Sequence, residues 1–122
     1  QIGRFYMLVE LSSKFVINHF GQWDHHAWLE FLSEINNKGK ITINDKVESE
    51  LGSLLENIKK FYITTKNKNT ISVITNNMAK YIRKNKGKWD HQHINNFIVS
   101  LKEKNIVMND LEISIAVNIL YS

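Results

Sequence analysis

Apolar side chains return along this chain every three or four residues, in blocks separated by glycine or by short polar stretches. That period puts them on one side of an α-helix, so each block predicts a helix with a buried stripe. The first helix is predicted over about 7–20, with Leu8, Leu11, Phe15, Val16 and His19 inward. Gly21 is expected to stop it, because glycine takes the left-handed conformation at a helix end without steric cost. Asp24 then caps a second helix, over about 25–37, with Trp28, Phe31, Leu32 and Ile35 inward and Gly39 closing it. After an extended crossing at Ile41-Thr42-Ile43, Asp45 and Glu48 read as a capping box. The third helix follows, carrying Val47, Leu51, Leu54, Leu55, Ile58, Phe61 and Tyr62 on one face.

The stretch 64–69 has no apolar residue and reads as a polar linker. Beyond it Thr70 caps a fourth helix to about 85, with Ile71, Ile74, Met78, Tyr81 and Ile82 inward and Gly87 ending it. Asp90 starts a fifth, with Ile94, Phe97, Ile98 and Leu101 inward. Asn109 with Glu112 forms a second capping box, opening a short sixth helix.

The two halves of this pattern repeat. Gly21-Gln22-Trp23-Asp24-His25 recurs 66 residues later as Gly87-Lys88-Trp89-Asp90-His91. Around the motif, Phe15 and Val16 match Tyr81 and Ile82, Phe31 matches Phe97, and Ile35 matches Leu101. Such self-similarity predicts a tandem duplication of a three-helix unit. The expected fold is therefore all-α, a six-helix bundle with pseudo-twofold symmetry in one domain over 1–122. Copy one covers about 7–62, the polar linker about 63–70 and copy two about 71–122. The motif has a structural explanation: glycine ends one helix, and aspartate accepts N–H bonds at the start of the next. The tryptophan before each cap is expected to staple onto the residue five positions on, Trp28 in copy one and Ile94 in copy two.

Composition narrows the chemistry. There is no cysteine, which removes disulfides, thiolate metal sites and cysteine nucleophiles. It also fits a reducing compartment, so a cytoplasmic location is the expectation. The chain shows no signal peptide and no apolar run of membrane-spanning length. The absence of proline favours uninterrupted helices. Positive charge is concentrated: between Asn57 and Trp89 there is no acidic residue, while Lys59, Lys60, Lys66, Lys68, Lys80, Arg83, Lys84, Lys86 and Lys88 supply nine positive charges.

The five histidines, His19, His25, His26, His91 and His93, gather at the two repeated turns, but no His-x-x-x-His or Glu-x-x-His ligand spacing occurs. No metal or other cofactor is expected. The segment 33–51 is superficially similar to an EF-hand, with Gly39 and Ile41 spaced as in that motif. Its ligand positions would fall on Glu34, Asn36, Lys38 and Asp45, and a lysine ammonium cannot coordinate calcium, so the resemblance implies at most a degenerate, non-binding relative. Gly-rich phosphate loops, nucleophile elbows and paired catalytic carboxylates are all missing, so no catalytic residue is assigned and no enzyme is expected.

Elimination leaves a non-enzymatic helical protein-interaction or scaffold module, with a protein partner or self-association and no membrane. The alternative is nucleic-acid binding through the span 57–89, with Lys80, Arg83, Lys84, Lys86 and Lys88 as phosphate contacts near Tyr81 and Trp89.

Overall fold

The computed structural model describes residues 5–39, 41–85 and 90–121. Among them are six helices and no strand. They are α1 (Phe5–Asn18), α2 (His25–Gly39), α3 (Asp45–Thr65), α4 (Lys68–Asn85), α5 (His91–Glu103) and α6 (Asp110–Leu120). None is long and apolar enough to cross a membrane.

Helix α1 is the centre of the packing. It lies against both α3 and α4, and α3 also packs on α6. Burial on two sides explains why α1 buries Val9, Ser12 and Ser13 in addition to the predicted Leu8, Phe15 and Val16. It also begins two residues earlier than the pattern suggests, because Phe5 is 1% exposed and belongs to the core. Ser13 and Thr75 form a buried hydrogen bond of 2.7 Å between their hydroxyls across the α1–α4 contact. Thr75 also donates back to the Ile71 carbonyl of its own helix, so burial leaves no cost at this pair. Helix α2 rests on α1 as α5 rests on α4. With one neighbour each, these two keep part of their predicted stripes half-buried, as at Trp28, Leu32 and Ile98.

The long α3 stripe is the closest to expectation: Val47, Leu51, Leu54, Leu55, Ile58 and Phe61 are buried, and Tyr62 is half-buried. The caps shift slightly. Asn44, in extended conformation, accepts the Val47 N–H and caps α3, which places Asp45 and Glu48 in its first turn. There their charge favours the positive end of the helix dipole. The capping box at Asn109 and Glu112 forms as predicted. The polar stretch between α3 and α4 is nearly all helical, and only residues 66–67 lie between the two helices. Asn67, three residues before the predicted cap Thr70, accepts the Thr70 N–H and opens α4 early. The EF-hand-like stretch likewise stays helical through Gly39, with Lys38 paired to Glu34 at 3.1 Å within α2.

The end of α1 differs from the expectation in an informative way. The bonds Phe20 N–H to Ile17 carbonyl and Gly21 N–H to Val16 carbonyl make a Schellman stop, whose left-handed position belongs to Phe20 (φ 56°) and not to Gly21. Gly21 follows with φ +75°, and a Cβ there would stand 2.9 Å from Cδ1 of Tyr62. Glycine is needed at this position because the α3 tyrosine ring lies against the backbone. Gly21→Ala is therefore expected to lower stability by at least about 1 kcal/mol, from left-handed strain before any shift of Tyr62. Chemical denaturation measures it; an unchanged midpoint would show that the corner does not depend on this contact.

Candidate functional site

The acid-free span does not form one surface. Helix α4 separates its charges: Lys68 and Lys84 lie sixteen residues apart on one helix, roughly 24 Å at 1.5 Å per residue. At the far end Lys80, Arg83 and Lys84 are exposed. Arg83 lies over the Tyr6 ring at 5.3 Å and Lys84 over Tyr81 at 5.9 Å. Both stand in the last turn of α4, where the helix dipole alone favours cations. Tyr81 is half-buried against Phe97, and its hydroxyl points to the Asn96 carbonyl at 3.5 Å. Of the remaining predicted site residues, Lys86, Gly87, Lys88 and Trp89 lie outside the described residues.

The repeated corners are built alike where both are described. Asp24 accepts the Ala27 N–H at 2.8 Å, and Asp90 accepts the His93 N–H at 2.9 Å. His25, His26 and His91 are exposed. His26 pairs with Glu30 at 3.1 Å on the surface, and His19 bonds the Phe15 carbonyl at 2.8 Å. No three histidine, aspartate or glutamate side chains among the described residues stand close enough to hold a metal ion. Trp23 packs edge-on against Phe15 of the preceding helix, with ring centroids 5.3 Å apart. Phe15 also meets Phe31, with ring centroids 4.5 Å apart and the two rings tilted by 31°.

A different site emerges where the α1–α2 corner meets the α3–α4 turn. An open groove of about 440 Å³ is lined there by Phe20, Gly21, Gln22, Lys59, Tyr62, Ile63, Lys66 and Lys68. Its size falls in the range of small-ligand sites, roughly 300–1,000 Å³. Three lysines face it, and among the described residues no carboxylate lines it. Among the described residues none of the three forms an ion pair. Lys68 lies over the Phe20 ring at 4.2 Å and Lys59 over Trp23 at 5.6 Å. These cation–π contacts hold the ammonium groups in place without neutralising them. The carboxylate next to the turn is already engaged: Glu112 accepts from Thr65 at 2.7 Å and from the Asn109 N–H at 3.0 Å.

Backbone strain collects at the same place. Among the described residues three non-glycine positions have positive φ: Phe20 (56°), Lys66 (55°) and Asn105 (64°). Asn105 ends α5 with bonds of the same Schellman pattern as Phe20, Asn105 N–H to Lys102 and Ile106 N–H to Leu101. Asparagine is a usual occupant of that conformation, whereas a bulky side chain there is an outlier costing roughly 1–2 kcal/mol. Both unusual occupants, Phe20 and Lys66, line the groove. Phe20 is also 63% exposed, so no packing in the core compensates for its conformation. The sequence alone does not show this site because its lining comes from two segments, 20–22 and 59–68; the lysines were visible as part of the acid-free span, but not their meeting with Phe20.

Phe20→Gly is expected to be neutral or to stabilise the fold by up to about 1 kcal/mol, since relief of strain outweighs the added chain entropy; a marked fall in melting temperature would mean that Phe20 is structural. Asp90 offers a pH test of the second corner. The His93 N–H bond holds its carboxyl below the ordinary aspartate range, against desolvation and with smaller help from the His93 charge, the Gln92 N–H and the His91 charge. A depressed folded value means that its stabilisation is present above the unfolded pKa and is lost as pH falls through the folded one. The stability difference between wild type and Asp90→Ala should therefore shrink as the solution is acidified below the usual aspartate range; a difference independent of pH would contradict the assigned bond.

Comparison with known proteins gives no matching family model, no matching curated protein and no matching solved structure.

Proposed function

We propose that this chain is a non-enzymatic helical binding module whose working surface is the groove between the α1–α2 corner and the α3–α4 turn, and that it holds a negatively charged partner. The observation that carries this reading is the set Lys59, Lys66 and Lys68, free of carboxylates among the described residues and arranged around Phe20 and Tyr62. Three like charges held together repel one another, and a surface without a task would intersperse acidic residues among them. The strained placement of Phe20 and Lys66 at the rim supports the same view, since strain of this kind gathers at ligand sites. What the groove offers is ammonium, ring and amide groups, which suit recognition better than proton transfer.

The repeated corner supports a finer proposal, that the two halves arose by duplication and are related by a pseudo-twofold. Asp24 and Asp90 cap their helices through the same bonds at matching positions, and α1–α2 and α4–α5 pack comparably. The relation is incomplete, because the extensive α1–α3 contact has no comparable α4–α6 counterpart. In this proposal the groove is a feature of one half, created where the copies diverged.

Two charge reversals of equal size separate location from net charge. Lys59, Lys66 and Lys68→Glu should weaken binding to heparin, used as a generic polyanion, by about tenfold or more. Lys80, Arg83 and Lys84→Glu should weaken it by less than about threefold at the same ionic strength. Equal losses in both variants would reduce the effect to overall charge and end the proposal.

A further inference from the structure

Building on the groove as the working surface, we infer that its occupant is an unpaired nucleic-acid strand, with a base stacked on Phe20 and phosphates lodged among Lys59, Lys66 and Lys68.

The ring comes first. Phe20 stands in a left-handed conformation with most of its surface in water, and Lys68 covers only part of it. An exposed aromatic ring is a platform for any base, because every base has a flat π-face. Tyr62 and the exposed Ile63 add apolar surface to the same groove. The lysines supply the second half of the recognition. An ammonium group suits a phosphate as a point charge, and three of them in one groove give a short backbone track.

The backbone argues against the main alternative, an acidic peptide. A peptide that docks by strand addition does so largely through main-chain hydrogen bonds. At the rim those donors are already used: Phe20, Gly21 and Gln22 donate to carbonyls of the α1 end, and Lys66 donates to Tyr62. Stacking and phosphate contacts need side chains alone, which is what remains available. The shape argues against a duplex. Bases inside a double helix present only their edges, so a ring in a concave corner cannot stack on them. The groove is open at its side, so a strand can continue beyond the first nucleotide.

The test uses the full chain and a fluorescently labelled twelve-nucleotide oligo-dT, read by polarisation. Binding is expected at low salt, with a logarithmic salt slope near −2, which corresponds to about three phosphates at roughly −0.7 each. Phe20→Gly should weaken it by about tenfold or more while leaving the melting temperature unchanged or higher, and Phe20→Trp should restore it. Four outcomes overturn the inference. No binding at low salt removes the strand, and an unaltered affinity of Phe20→Gly removes the stacking. An equally tight matching duplex removes the preference for an unpaired strand. Displacement by dTMP at the same concentration as the strand reassigns the groove to a free nucleotide. If heparin or polyglutamate binds through Lys59, Lys66 and Lys68 and oligo-dT does not, the nucleic-acid assignment fails while the anionic groove itself stands.

Discussion

The position of α1 between α3 and α4 is the constraint from which the rest of the structure follows. A helix covered on two sides must be apolar or small over most of its circumference, and α1 meets this with Leu8, Phe15 and Val16 alongside Val9, Ser12 and Ser13. The serines are small where α4 comes close, and the Ser13–Thr75 hydrogen bond fixes the relative position of the two helices. Once α1 is held there, its C-terminal end is delivered to the flank of α3, and the Gly21 backbone comes to rest on the Tyr62 ring. Hydrophobic burial supplies the energy, at roughly 1.5–3 kcal/mol for each fully buried large side chain. The polar bond and the glycine contact specify the geometry.

That geometry brings two helix ends side by side and opens the groove between them. Helix ends are places where the chain has to turn, and left-handed residues turn it most tightly. At the end of α5 the task falls to Asn105, which suits it. At the groove it falls to Phe20 and Lys66, which do not, and each projects a functional group over the opening. Stability is lost locally so that an aromatic ring and an ammonium group stand in solvent. The neighbouring lysines follow the same logic, since cations left without carboxylate partners add mutual repulsion to the folded state. The large shared core, which draws on all six helices, absorbs both costs.

Legibility in the sequence followed the number of neighbours that each element acquires. Helix α3 was read almost residue by residue, because its single broad stripe from Val47 to Phe61 meets the core along one side. The stripes of α2 and α5 pack against the core as read, but Trp28, Leu32 and Ile98 stay half-buried because their helices have only one substantial neighbour. Burial of Ser12, Ser13 and Thr75 was not legible, since nothing in a hydroxyl's local spacing announces that a second helix will cover it. The basic span was visible as a run, but its separation into two ends of a helix was not. The histidines that looked clustered in the chain largely point outward, because adjacent positions on a helix diverge.

By itself the sequence determined the helical class, most of the inward-facing residues, the caps at Asp24, Asp90 and Asn109, and the concentration of lysines without acidic neighbours. These are local properties, set by a period of 3.6 residues and by the hydrogen-bonding needs of helix ends. Tertiary structure alone decided which helix would be covered twice, that Phe20 would turn left-handed ahead of Gly21, and that Lys59, Lys66 and Lys68 would surround the same space as Phe20 and Tyr62. Those outcomes depend on contacts between residues about forty positions apart in the chain, and no local pattern encodes the distance at which two helix ends come to rest.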